Sequence, residues 1–244
     1  MSQGLSAAAS GMAAAQTRLD ALSNDLVNAN TTGYRPERVA FHDLLYGRAT
    51  SGAAAPVSVG AGVGVTHLGR AVGSGPTQQT GRALDVAIPG DGFLRVQRAD
   101  GKVALTRDGS LDVDTAGRLV TTSGAILDPP VRLPRGTTAD QVTIGSDGTV
   151  RAAGRVAGRL QLFAVTSPGS LQPIGGGDYV ATTASGAARQ LASARFDTGA
   201  LEGSGVDMAQ TMVDMTLAQR GYEMASRAVR AEDELMQIAN QVKR

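Results

Sequence analysis

The hydrophobic period of this chain changes twice along its length, and that change constrains the fold more than any other feature. From residue 5, apolar or small residues fall at Leu5, Ala8, Met12, Ala15, Leu19, Leu22 and Leu26, in alternating steps of three and four. This is the heptad seam of a helix laid against another helix. The pattern recurs at the other end, where Leu217, Gly221, Met224, Ala228, Ala231, Leu235, Ile238 and Val242 step by four and three. Val206 and Val213 extend that apolar edge upstream. Ser204 and Asp207 are candidate N-caps for the second helix, and Lys243 and Arg244 suit the negative end of its dipole. Asn28, Asn30, Thr31, Thr32 and Gly33 stop the first helix, and Pro36 blocks an immediate restart.

Between the ends the period is two. Leu84-Asp-Val-Ala-Ile88, Phe93-Leu-Arg-Val-Gln97, Val103-Ala-Leu-Thr106, Leu111-Asp-Val113, Leu119-Val-Thr121 and Leu160-Gln-Leu-Phe-Ala-Val165 read as short strands. Asp-Gly pairs punctuate them at residues 91–92, 100–101, 108–109 and 147–148, where glycine can take the positive φ of a tight turn. The expected fold class is therefore α+β: paired terminal heptad helices, a coiled coil, around a central all-β domain. The expected division is an N-terminal helix over 1–33, an extended Gly/Ala-rich connecting arm over 34–80, the β-domain over 81–198 and a C-terminal helix over 199–244. Residues 47–80, which hold only Arg48 and Arg70 as formal charges, read as an extended arm, a loop or an irregular hairpin.

Helix lengths set the next expectation. At 1.5 Å per residue a helix over 3–28 spans about 39 Å and one over 206–242 about 55 Å. Roughly a third of the longer helix would then have no partner within its own chain. Ala7, Ala9, Ala13, Ala14 and Ala21 suit close approach by additional helices. The ends are thus read as sticky toward other molecules and as ordering on assembly.

Composition narrows the functions on offer. There is no cysteine among the 244 residues, so disulfide scaffolds, thiolate metal sites and cysteine nucleophiles are excluded. Two histidines, His42 and His67, leave little for imidazole catalysis or histidine metal sites. With 23 basic and 22 acidic residues the net charge is +1, no footprint for nucleic acid. No apolar run reaches the ~18 residues a membrane-spanning helix needs. The first residues lack the charged and apolar regions of a cleaved secretory signal.

No motif supplies chemistry. Gly60-Ala-Gly62-Val-Gly64 lacks the Gly-Lys-Ser/Thr and the following helix of a phosphate loop. Asp112-Val-Asp114-Thr-Ala-Gly117 opens like a calcium loop, but its fifth position is Ala116 and its twelfth Ser123, so the ligand pattern fails. Asp85, Asp91, Asp108 and Asp112 read as turn carboxylates rather than an acid–base pair. No catalytic residue, metal, cofactor or small-molecule substrate is expected. From the residues alone two readings remain: a subunit that assembles through its ends, or a secreted β-domain enzyme or adhesin on a helical stalk.

Three separated segments carry a resemblance. Leu22-Ser-Asn-Asp-Leu-Val-Asn-Ala-Asn-Thr-Thr-Gly-Tyr34-Arg-Pro36 resembles the N-terminal signature of bacterial flagellar rod and hook proteins. Leu84-Asp-Val-Ala-Ile88, Gly90-Asp-Gly-Phe93, Thr106-Arg-Asp-Gly-Ser110-Leu111 and Gly117-Arg-Leu-Val-Thr-Thr-Ser-Gly124 resemble the family's β-domain. Leu201-Glu-Gly-Ser-Gly-Val206 and Gln219-Arg-Gly-Tyr222-Glu223 resemble its C-terminal helix. Phe41-His-Asp-Leu-Leu-Tyr46 and the following insert resemble the distal-rod branch, with the proximal rod as the alternative. The resemblance implies a structural subunit of the basal-body rod. Its helices would pack around a central export channel, it would span the periplasm, and it would be exported without a cleaved signal. Its implied partners are itself, other rod and hook proteins, surrounding ring or bushing proteins and the export apparatus. The implied assembly interface is Leu5, Met12, Leu19, Leu22 and Leu26 with Leu217, Met224, Leu235, Ile238 and Val242. The implied helix-exit signature is Asn28, Asn30, Gly33 and Tyr34.

Overall fold

A computed structural model describes residues 3–44, 47–49 and 57–242. They form two compact units. The first comprises the helix that ends at Val27, the segment Glu37–Leu68 and the chain from Asp207 onward; the second comprises Asn28–Pro36 and Gly69–Val206.

The first unit is built on two helices, α1 (Gln3–Val27) and α2 (Met208–Val242). Asp207 caps α2: its carboxylate accepts the Gln210 N–H at 3.1 Å and its carbonyl the Thr211 N–H at 2.9 Å. Ser204 lies outside the helix, its hydroxyl accepting the Val206 N–H. Lys243 and Arg244 lie outside the described residues. The helices run antiparallel, because Gly4 meets Glu232, Gly11 meets Ala225 and Arg18 pairs with Asp214 at 3.3 Å as the register runs backwards along α2. The last ten residues of α2 extend past the described end of α1, in line with the unequal lengths read from the sequence.

Beside the helices runs a two-stranded ribbon of Glu37–Asp43 and Val63–Arg70, whose Leu44 N–H donates to the Gly62 carbonyl at 2.9 Å. Backbone pairing of Gly47–Ala49 with Val57–Val59 continues as a short hairpin, so part of the segment read as arm, loop or hairpin is hairpin. Leu45 and Tyr46 lie outside the described residues. Gly62 serves packing: a Cβ there would sit 2.1 Å from the Ser10 hydroxyl, and that hydroxyl accepts the Val63 N–H at 3.1 Å.

The second unit carries the β-rich body. Its main sheet orders the strands Gln172–Gly175, Asp178–Val180, Val103–Thr106, Phe93–Gln97, Ile126–Leu127, Leu119–Thr121 and Leu111–Val113, all antiparallel. Leu162–Ala164 also pairs with Phe93–Gln97 and carries Arg189–Gln190 on its far side. A separate three-stranded sheet joins Val142–Ile144, Thr149–Ala152 and Arg155–Arg159. Leu84, Val86, Leu94, Val96, Leu111, Leu119, Val142, Val150 and Phe196 make a common core, all less than 2–3% exposed. Burying each large side chain contributes about 1.5–3 kcal/mol. Strands stand on the expected bounds at Phe93–Gln97, Val103–Thr106, Leu111–Val113 and Leu119–Thr121, but the first two are covered on both faces, Leu94, Val96 and Ala104 facing one cluster and Phe93 and Leu105 another, so alternation is lost there. Leu84–Ile88 narrows to a two-residue strand, Val86–Ala87, and Leu160–Val165 to Leu162–Ala164. Of the four Asp-Gly pairs, those ending in Gly101 and Gly148 adopt positive φ.

Candidate assembly surface and helix-exit node

Within the first unit, Ala14 and Asp25 are the buried residues of α1, and its seam residues are partly covered. Leu5, Ala8, Met12, Ala15, Leu19, Leu22 and Leu26 are all half-buried, while Gly4, Ala9, Ala13, Gln16, Asp20 and Val27 are exposed. Leu22 lines a groove of about 310 Å³ together with Arg18, Asp25, Glu37, Phe41 and Asp214. Arg18 lies 5.8 Å over the Phe41 ring, and the buried Asp25 carboxylate accepts the Glu37 N–H at 3.2 Å.

α2 behaves differently. Its covered face holds the buried Thr211 and Ala218 and the half-buried Met215, Ala225 and Val229, with Ala218 and Ala14 the buried alanines of the pair. Leu217, Met224, Leu235 and Ile238 are 53%, 66%, 62% and 56% exposed, and Val213 is 55% exposed. The side chain of Val242 lies outside the described residues. The structure therefore brings Gly4, Gly11 and Arg18 of α1 against Glu232, Ala225 and Asp214 of α2 and leaves Leu217, Met224, Leu235 and Ile238 facing out. At 100° per residue, the seam through Leu217 is rotated about 100° from the one through Ala218. Small side chains let the two helices approach closely, and the bulkier stripe is displaced to solvent. By the same rotation Val213, Leu217, Met224, Leu235 and Ile238 fall within about 60° of one another.

Within the second unit, the helix-exit residues enter a node where three chain segments cross. A short turn, with Thr31 N–H donating to the Asn28 carbonyl and Tyr34 N–H to the Thr31 carbonyl, carries Asn28 and the exposed Asn30. Gly33, at φ +65°, donates its N–H to the Glu202 carbonyl at 2.8 Å. The Tyr34 carbonyl accepts from Gly205 at 2.9 Å, and the Pro36 carbonyl from Ala71 at 2.9 Å. Arg70 donates to the Arg35 carbonyl at 2.8 Å and lies 5.2 Å over the buried Tyr34 ring. A Cβ at Gly33 would fall 2.9 Å from the Arg107 backbone, in a conformation strained for any L side chain. Gly33→Ala is therefore expected to cost this unit about 1–3 kcal/mol. Urea unfolding followed at the β-body checks it, and an unchanged midpoint would count against the close approach.

Beneath the crossing lie three buried charges that the sequence reading did not single out. Arg35, Arg107 and Glu202 are 3%, 1% and 3% exposed. Glu202 sits 3.3 Å from Arg107 Nε and accepts the Gly75 N–H through its other oxygen at 3.1 Å. Arg107 donates to the Gly90 and Gly92 carbonyls. Both guanidinium groups lie over the Phe93 ring, at 5.4 and 5.5 Å. Burial pulls the Arg107 pKa down to about 10, with Glu202 opposing it and Arg35 adding to it. Burial likewise lowers Arg35, again against Glu202. The signal available beforehand was only that all three residues lie in or beside the motifs that carry the resemblance.

Among the described residues no group of three or more His, Cys, Asp or Glu is placed to hold a metal ion. His67 bonds Glu37 at 2.7 Å on the exposed ribbon, and His42 lies near Thr66.

Comparison with known proteins agrees with this picture. Residues 5–35 match the family model described as flagella basal body rod protein. Residues 87–152 match the flagellar hook protein FlgE/F/G D1 domain, and residues 197–242 the flagellar basal body rod FlgEFG protein C-terminal model. The chain is 34% identical to the flagellar basal-body rod protein FlgG of Borreliella burgdorferi over the whole of both chains. It is 32% identical to FlgG of Caulobacter vibrioides over 99% of each, and 31% identical to the flagellar basal-body rod protein FlgF of Escherichia coli over 90% of each.

Proposed function

The chain belongs to the flagellar basal-body rod protein family as a FlgG-like member, and from that premise we propose that it joins the distal rod by packing its terminal helices against those of sister subunits. It is a structural subunit of the flagellar basal body and not an enzyme. The observation that carries the packing mode is the outward stripe of Val213, Leu217, Met224, Leu235 and Ile238, too large an apolar line to leave in water on a helix already paired through its other face. Burying what remains exposed of five such side chains is worth roughly 4–9 kcal/mol in all. That is comparable with the roughly 4–15 kcal/mol association costs in lost freedom. In this reading residues 1–33 and 199–244 supply the coiled-coil-like axial layer, 34–80 the connecting arm and 81–198 the outer body. Other rod and hook subunits, the surrounding ring or bushing proteins and the export apparatus are its partners.

The similarity to FlgF supports a second reading, a proximal position in the same rod. Labelling the chain in purified hook–basal bodies tests both. Signal in the rod segment next to the hook is the expected result. Signal confined to the membrane-proximal segment would transfer the assignment, and absence from hook–basal bodies would overturn it.

A further inference from the structure

A different surface, on the three-stranded sheet of the body, points outward. One face of that sheet is core: Val142, Ile144, Val150 and Ala152 are nearly inaccessible. Directly paired residues of antiparallel strands share a face, so the register Thr143–Arg151–Val156 and Thr149–Arg159 places these five on the opposite, solvent side, while Arg155, opposite Ala152 and beyond the bulge at Ala157, is exposed at the start of the strand. Val156 is 62% exposed there. Residues 129–160 hold five arginines, Arg132, Arg135, Arg151, Arg155 and Arg159, against two acids, Asp140 and Asp147. The Asp147 carboxylate is already taken by the Thr149 N–H and hydroxyl.

The charge on this sheet is unpaired in a way that most of the body's charge is not. Arg82, Arg95, Arg98, Arg107 and Arg118 each pair with an Asp or Glu. Among the described residues, the exposed Arg132, Arg135, Arg151 and Arg155 make no ion pair or side-chain hydrogen bond, and Arg159 reaches only the Asp147 carbonyl. The strand Arg155–Arg159 is also an edge: among the described residues only Thr149–Ala152 pairs with it. An unpaired edge is a template for one more strand.

Its charges decide which strand. A second copy docked on this edge would bring Arg151, Arg155 and Arg159 of both chains together with no carboxylate between them, and like charges brought together across a ladder destabilise it. An acidic strand meets the reverse. Arginine forks bind carboxylates in two-point fashion, and the exposed Val156 supplies an apolar centre within a charged rim. We propose that the Arg155–Arg159 edge, with Arg151 beside it, docks an extended carboxylate-bearing segment of a different basal-body protein, which adds as a fourth strand. The proposal is independent of how the terminal helices pack.

Photo-cross-linking in the assembled organelle tests it. A benzoylphenylalanine is placed at Val156, and in a second strain at Thr143 two strands away; basal bodies are purified after illumination and the adducts mapped by mass spectrometry. Adducts from Val156 on an acidic, extended stretch of another protein, at least tenfold stronger than those from Thr143, are expected. They should fall at least tenfold with Arg151→Glu and Arg155→Glu combined, and persist with lysine at both positions. Adducts to this chain itself, adducts to carbohydrate, adducts mainly from Thr143, indifference to the charge reversal, or no adduct from either position would each overturn the proposal.

Discussion

Glu202→Gln is expected to lower the unfolding free energy of the β-bearing unit by about 3–5 kcal/mol, the usual cost of removing one partner from a buried ion pair. The size follows from what is left behind. Arg107 and Arg35 are almost wholly buried and both lie over the Phe93 ring, and Glu202 is within ion-pair range of Arg107 and acts on Arg35 through space. Arg35 Nε and Nη2 have no hydrogen-bond partner, so its charge relies on the nearby carboxylate rather than on directed bonds. Neutralising Glu202 leaves two like charges in a low-dielectric site, each raising the cost of the other. Urea denaturation monitored at the body should show a lower midpoint with an unchanged slope. The contrast is Asp114→Asn, which breaks the more exposed, solvent-screened Arg118–Asp114 pair and should lower the midpoint far less. A loss at Glu202 no greater than at Asp114 would show that the carboxylate does not hold the two guanidiniums.

This cluster marks the boundary of what the sequence discloses. Period and turn chemistry are local, and they place α1 and α2 within two residues of their observed ends and four central strands on their observed bounds. The positive φ of Gly33 is legible for the same reason: a helix stop followed by glycine and an aromatic residue describes one turn. The node is not legible, because Arg35, Arg107 and Glu202 are far apart in the chain and each alone reads as a surface charge. The contacts between the helices are not legible either. Heptad reading counts large apolar residues and so selects Leu217 and Met224, whereas the contacts to α1 run through Asp214, Ala225 and Glu232. Leu217 and Met224 stay more than half exposed.

Leu217→Asp combined with Met224→Asp should therefore separate assembly from folding. Both side chains are more than half exposed on the isolated chain, so their replacement removes little buried area; surface substitutions of this kind usually shift stability by within about 0.5 kcal/mol each. Helical circular dichroism and the urea midpoint should stay close to those of the parent. In a polymer the same two positions would bury four carboxylate oxygens in an apolar seam, and unpaired buried charge costs several kcal/mol per group. Rods should not form, and cells carrying the variant should lack hooks and swimming. Ala14→Asp places one carboxylate in the intramolecular seam, where the native side chain is 4% exposed, and should instead unfold the helix pair of the isolated chain. The two variants thus distinguish a stripe that serves neighbours from a seam that serves the monomer. Normal swimming with Leu217→Asp and Met224→Asp would mean that the outward stripe meets only water, and the packing reading would fall with it.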